Sequence, residues 1–453
     1  MSNSAAIIPR SDHNISRDDI SDNALKVLYR LHQSGYQAYL VGGCVRDLLL
    51  ELHPKDFDVV TDAHPEEIKR IFDNCRLIGR RFRLAHILFG RDVVEVATFR
   101  GPLQEADFED GGNHLRHHAE SGRIMRDNVY GTLEEDVWRR DFTMNALYYN
   151  IADFTLVDHV GALADIRRGV IRLIGDPETR YREDPVRMLR ALRFAAKLSF
   201  EIAKDAAAPI QKLGHLLHDI PPARLFDETL KMFHGGCAVK TFHLLREFGL
   251  FRHLFPAAGD CLEHQSYAFS GKFIEHALTS TDARIVGGKP VTPAFLFATF
   301  LWLPLLRKLG YEVGGSFPGV MDMQKAGSAL LQEQGRVIAM PRRYAMVVRD
   351  IWALQPRLQR YAGKRTLLLL QHPRFRAAYD FLCLRAEAGE DVQEQAQWWT
   401  EIQTHDPAGQ RRMIDSVLPK TQKKPGVKAG NRSRRRRRNR KSPPRTRTAM
   451  DSH

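Results

Sequence analysis

The chain has 453 residues, enough for two or three domains with a sizeable core, and its 43% hydrophobic and 27% charged content is that of a soluble globular protein. The net charge of +14 is concentrated: Lys420 to His453 hold 14 Lys or Arg and one acid, so the rest of the chain carries only +1. No run reaches the roughly 18 apolar residues of a membrane helix, and five scattered cysteines (Cys44, Cys75, Cys237, Cys261, Cys383) argue against a disulfide framework or zinc site.

Residues 1–20 read as a polar lead-in, whose apolar run Ala5–Ile8 is too short for a secretory signal. The side-chain oxygens of Ser21-Asp22-Asn23 suit the cap of a helix over Ala24–Leu31. A strand, Ala38–Val41, then meets the turn Gly42-Gly43 and a helix through Val45 and Leu50. Paired glycines let the backbone turn sharply and approach a ligand, and the first amides of a helix suit a phosphate. Asp56–Val60 reads as a strand with Asp56 and Asp58 on one face and Phe57 on the other. Adjacent carboxylates repel unless a cation lies between them, and hard oxygen donors suit Mg²⁺. Alone, either feature is ordinary. Together, a phosphate cradle and a metal-binding carboxylate pair are the minimum equipment for nucleotidyl transfer.

His64–Phe72 reads as a helix. Arg76–Ile87 and Val93–Phe99 alternate as paired strands, with Glu95 placed to lie beside the carboxylates. Residues 101–126 lack periodicity, and His114, His117 and His118 have no acidic or cysteine partners at useful spacing, so a mobile loop is expected. Glu134–Leu147 reads as a helix carrying Arg140 and Asp141, and Phe154–Gly161 with Gly169–Ile174 as a hairpin. A helix over Asp184–Leu198, opened by Pro185, sets an apolar stripe (Val186, Leu189, Leu192, Ala196) against Asp184, Arg187, Arg190 and Arg193. An Asp and an Arg one turn apart offer an acceptor and donors to the edge of a base. From about 205 to 415 the chain reads helical. Basic and aromatic residues interleave there (Arg343, Tyr344, Arg349, Trp352; Arg374, Phe375, Arg376, Tyr379), a pattern that suits single-stranded RNA and an ordinary amphipathic helix equally. Eight of the eleven residues from Asn431 to Lys441 are basic, which reads as a disordered tail for a polyanion, RNA before lipid.

The run Gly42-Gly43-x-Val45-Arg46-Asp47 followed by Asp56-Phe57-Asp58 resembles the nucleotidyltransferase superfamily that holds DNA polymerase beta. Within it the chain is similar to the branch of bacterial poly(A) polymerases and tRNA CCA-adding enzymes, over residues 20–400. Leu77–Ile87 and Pro222–Glu228 resemble the poly(A) polymerase versions of those segments. The resemblance implies an α+β fold class. A mixed small sheet with helices forms a nucleotidyltransferase domain over 21–178, and a helical neck covers 179–250. An all-helical RNA-binding body follows over 251–415, and a disordered basic tail over 416–453.

It implies adenylate transfer from ATP to RNA 3′ ends, with tRNA CCA addition as the alternative and a non-catalytic RNA-binding protein as the distant one. Asp56 and Asp58 are expected to hold two Mg²⁺ ions, or Mn²⁺ in their place. Asp141 is carried over as the third catalytic acid, with Glu95 as its rival. Gly42, Gly43, Arg46 and Arg140 would cradle the triphosphate, Asp184 and Arg187 would read the base, and Arg190 and Arg193 would contact the nucleotide. The expected partners are ATP and the 3′ ends of mRNA and other transcripts, with RNA-decay machinery or an RNA chaperone alongside. A cytoplasmic monomer with no integral membrane association is expected.

Overall fold

The computed structural model describes residues 5–79, 83–101, 129–264, 269–312, 315–361 and 365–417. The histidines at 114, 117 and 118 and the basic tail lie outside the described residues. In chain order the first part runs β1 (Ala6–Ile8), α1 (Asp22–Gln33), β2 (Ala38–Val41), α2 (Gly43–Leu49), β3 (Asp58–Thr61) and α3 (Pro65–Ile71). It continues through β4 (Cys75–Ile78), β5 (Leu84–Phe89), β6 (Asp92–Thr98), α4 (Leu133–Arg139), β7 (Leu147–Asn150), β8 (Leu156–Asp158) and α5 (Ala162–Arg168).

These strands form one mixed sheet in the order β1-β8-β7-β2-β3-β6-β5-β4. β3 and β6 are parallel and the other pairs antiparallel. One face packs under α1 and α3 and buries Leu40, Val59 and Val96 with Val27, Leu28 and Leu31 of α1. Ser21 caps α1 by accepting from the Ala24 amide at 3.2 Å. The opposite face holds a smaller cluster of Val41, Val60, Phe99, Val137, Tyr148, Val157 and Ile174. Side chains alternate along a strand, so Asp58 and Glu95 share this second face with Val41 and Tyr148.

Several local expectations change. The run Ala6–Ile8, expected to lie in a lead-in, pairs with β8 as an edge strand. Asp56 precedes β3, so strand alternation places only Asp58. The strand expected over Arg76–Ile87 is the hairpin β4–β5, entered at Gly79 with φ 92°, a left-handed turn that favours glycine. The helix expected over Glu134–Leu147 stops at Arg139. Arg140 and Phe142 are extended (ψ 161° and 145°), a short 3₁₀ turn spans Thr143–Asn145, and sheet pairing claims the rest as β7. The hairpin expected over 154–174 does not form, because β8 pairs with β7 and β1 and α5 fills the interval between two left-handed glycines, Gly161 and Gly169.

Next come β9 (Val170–Ile171), α6 (Pro177–Glu183), α7 (Val186–Leu198), β10 (Glu201–Ile202), α8 (Lys204–Leu213) and α9 (Pro222–Phe233), with β9 and β10 paired in parallel. The helix expected over 184–198 therefore begins after a break. Pro185 has no N–H to donate, and Asp184 before it is extended at φ −147°, ψ 93°. From Ala238 to Val417 the described chain is helical, as expected. One apolar core runs from the sheet through α7 and α9 to Trp352, and a second, around Phe375 and Trp399, closes the C-terminal end. No described helix is long and apolar enough to cross a membrane.

Candidate active site

Tertiary pairing brings the carboxylates together. Asp58 opens β3 and lies in register with Glu95 on the parallel β6. Asp56 is exposed two residues earlier. Asp58 is open to solvent, yet the walls of the cleft crowd it. Burial pushes its carboxyl up to about 6, with Glu95 and then Asp56 adding to the rise and Arg140 opposing it. Gly42 turns the chain opposite, at φ 81° and ψ −136°, a conformation that essentially only glycine adopts. A Cβ there would lie 3.7 Å from Asp58 Oδ2 and 3.9 Å from Arg140 Nη1, so the bare Cα keeps the approach to the carboxylate open. The donor chemistry fits a divalent cation. Among the described residues no three His, Cys, Asp or Glu side chains converge as a ready-made cage. Mg²⁺ rarely needs one, since it commonly uses one or two carboxylates plus substrate phosphates and water.

A buried polar layer supports this floor. Arg140 Nε donates to Asp136 Oδ2 (3.0 Å) and to the Tyr148 hydroxyl (2.8 Å), and its guanidinium lies 5.1 Å over the Tyr148 ring. Nη1 makes a long bond to the Asn145 carbonyl (3.5 Å) and lies beside Gly42, where Asp58 Oδ2 also approaches. Arg46 is buried beneath the glycine turn, donating to Asp47 Oδ1 (2.8 and 2.6 Å) and Asn145 Oδ1 (2.7 Å) and stacking on Phe194 at 5.1 Å. Three of its five N–H groups are used, so two stay available. Asp141 is tied to α7 and to Asn145. Its carboxylate accepts from the Phe142 amide (2.8 Å) and Asn145 (3.2 Å) and pairs with Arg190 at 2.6 Å. Burial works against that charge, but Arg190, Asn145 and the Phe142 amide still hold it below the usual carboxylate range.

The break at Asp184-Pro185 sets the neck residues. Asp184 accepts from Arg224 of α9 at 2.7 Å. Arg187 is buried and donates to the Arg180 carbonyl (2.7 Å) and to Glu183 (2.9 Å), which also pairs with Arg180 (2.6 Å). Arg190 and Arg193 each keep a buried Nε without a hydrogen-bond partner. For Arg193, burial and then the neighbouring Arg190 lower the pKa, against the pull of Glu228. Arg193 covers the same Phe194 ring as Arg46, so a buried donor without a partner lies next to the arginine under the glycine turn.

Three family models match the chain: the poly A polymerase head domain over residues 38–172, a probable RNA and SrmB-binding site of polymerase A over 199–262, and the polymerase A arginine-rich C-terminus over 317–442. The poly(A) polymerase I of Escherichia coli O6:H1 is 50% identical over 416 residues, covering 91% of this chain and 88% of that protein. That of Haemophilus influenzae is 47% identical, covering 92% and 93%. The chain belongs to the bacterial poly(A) polymerase I family. Among solved structures, the Bacillus stearothermophilus CCA-adding enzyme in complex with CTP superposes with a TM-score of 0.57 at 26% identity, covering 87% of this chain and 82% of that one.

Gly42, Gly43, Asp58 and Arg140, singled out in the sequence, meet at one floor with Arg46 just below. Arg190 and Arg193 stand nearby on α7, while Asp184 and Arg187 sit in ion pairs on its first turn. Glu95, named only as a rival, is the acid in register with Asp58; Asp141 is bound to Arg190 instead. Sequence reasoning missed Asp136, Tyr148, Asn145, Glu183 and Arg224. Asn145 had a signal, since it is a polar residue in an apolar stretch; Asp136 had none, being one of three acids in a row. Arg224 had none, because its partner lies 40 residues away.

Proposed function

We propose that the chain adds adenylate from ATP to RNA 3′ ends without a template. One observation carries the reading: Asp58 and Glu95, the latter 3.3 Å from His86, lie side by side in register on β3 and β6, with Asp56 close enough to raise Asp58 and the bare Gly42 Cα at the same floor. Catalysis of this kind is largely positioning and charge stabilisation. The RNA 3′ hydroxyl gives up its proton to water as its oxygen attacks the α-phosphorus, the bond to the bridging β-phosphate oxygen breaks, and pyrophosphate leaves. Asp56, Asp58 and Glu95 supply the hard oxygens and negative charge that would hold divalent cations, two Mg²⁺ or Mn²⁺ in their place. When bound, such ions supply Lewis acidity at the attacking oxygen and neutralise the triphosphate.

Arg140 Nη1, the two free N–H groups of Arg46, and Arg190 and Arg193 receive the phosphates and ribose, while Gly42 and Gly43 keep the way clear. Asp141 holds Arg190 in place, a positioning role. Asp184 and Arg187 read the adenine edge, steadied by Arg224 and Glu183. In this reading the catalytic domain covers 21–178 together with the β1 edge strand, the neck 179–250, the body 251–415 and the tail 416–453. The partners are ATP and the 3′ ends of varied transcripts, which suits a cytoplasmic monomer working beside RNA-decay machinery.

The test is incubation of the purified chain with an unstructured RNA and a tRNA lacking its 3′ end, offering each nucleotide separately. Long A tracts on both RNAs are expected. Addition of C and then a single A, on tRNA alone, would reverse the assignment in favour of CCA addition.

A further inference from the structure

We propose that a cleft in the helical body docks the single-stranded RNA just upstream of its 3′ end; the proposal rests on the RNA-elongating reading above. The cleft, of about 1150 Å³, lies between the helices Ser270–Val286, Pro293–Phe300, Arg342–Leu358 and Phe375–Glu387, and contains none of the catalytic candidates. Pockets for a single small ligand usually hold about 300–1000 Å³. This one suits a short run of nucleotides.

Its wall is cationic. Arg284, Arg343, Arg374 and Arg376 outnumber Asp380 and Glu387. Asp380 is neutralised by Arg376 at 3.0 Å, and Glu387 has His276 at 3.7 Å, a charged pair only when the imidazole is protonated. Among the described residues no ion pair engages Arg284, Arg343 or Arg374. Arg343 instead lies over the Tyr344 ring at 4.8 Å, and Arg284 donates to the Pro290 carbonyl at 3.0 Å. Exposed guanidinium groups over an apolar floor (Leu296, Val347) can take phosphates and the apolar faces of bases without reading sequence. A template-free polymerase must grip its product in that way.

The cleft also leads to the chemistry. The Tyr344 ring stacks on Phe226 of α9, with centroids 6.2 Å apart and planes at 28°. Two residues earlier on α9, Arg224 holds Asp184. The helix Arg342–Leu358 is tied to the same place by the Ala339 amide, which donates to the Pro222 carbonyl at 3.0 Å. RNA held on Arg343 and Arg374 would therefore run along α9 toward the nucleotide floor.

The test uses the full chain carrying Arg343→Gln and Arg374→Gln, with fluorescent oligoadenylate binding measured across a salt series and the kinetics of A addition. Each phosphate that is no longer neutralised flattens the log–log salt slope by about 0.7 on a single strand. A slope flatter by about 1.4 is expected, with a tenfold rise in the KM for RNA and a steady KM for ATP. The paired Lys substitutions should restore the slope. Independently, RNA carrying 4-thiouridine near its 3′ end should crosslink to the helices Arg342–Leu358 or Phe375–Glu387 of the unaltered chain. An unchanged slope and RNA KM, or crosslinks confined to other segments, would overturn the cleft assignment. Failure of the unaltered chain to add A to any RNA would instead bring down the functional reading, and the crosslinks would still report on the cleft.

Discussion

Asp58 carries the largest electrostatic tension at the catalytic floor. Its carboxyl titrates near 6 because burial and then Glu95 penalise the charge. The ordinary value is 3.8, so the unfolded chain releases this proton first as pH rises. Folding stability is therefore lost between about pH 4 and 6, and above that range the ionised group works against the fold. In chelator, the melting temperature of Asp58→Asn should exceed that of the parent at pH 7, and the gap should close below pH 4. Mg²⁺ should raise the melting temperature of the parent at pH 7 and leave Asp58→Asn nearly unmoved. A gap independent of pH would show that Asp58 is not strained. The four acids should separate in turnover as well. Ala at Asp56, Asp58 or Glu95 should cut the rate about a hundredfold or more, the scale of losing one preorganised electrostatic group. Asp141→Ala should keep measurable turnover but lose thermal stability, since Arg190 would be left partly buried and unpaired. Full activity in Glu95→Ala would return the third-acid role to Asp141.

Among the elements, the break between α6 and α7 matters most for specificity. Pro185 stops the backbone ladder, so Asp184 swings out to Arg224 while Arg187 turns back onto Glu183 and the Arg180 carbonyl. Arg187→Ala should relax the choice among nucleotides more than it weakens triphosphate binding. Bidentate base contacts are worth about 1–3 kcal/mol, so ATP preference should fall about tenfold or more in competition assays. An unchanged preference would leave this arginine a purely structural clamp of the neck.

Across the whole molecule, charge and chemistry are segregated. Nearly all of the net charge lies beyond Lys420, and every residue assigned to the nucleotide lies before Glu228. Removing Lys420–His453 should weaken RNA binding chiefly at low salt and flatten the salt dependence by about 0.7 for each phosphate the tail had neutralised. Single-nucleotide addition at saturating RNA should persist. Its loss in a primer-extension assay would mean that the tail reaches the catalytic floor.

The sequence by itself determined whatever is local or periodic. The Gly42-Gly43 turn is legible because only glycine tolerates the conformation at Gly42, and α7 is legible because its apolar residues recur every three or four positions. Charge segregation is legible because it is a matter of composition. Tertiary structure decided what depends on partners far apart in the chain. Leu147–Asn150 lies in the sheet because β2 and β8 pair with it on either side, which outweighs the helical look of its neighbours. Glu95 stands beside Asp58 because parallel pairing of β3 with β6 fixes the register across 37 positions of chain. Arg224 meets Asp184 only because Pro185 bends the neck toward α9. Spacing along one segment carries no information about such pairings, since their energy exists only once both elements are in place.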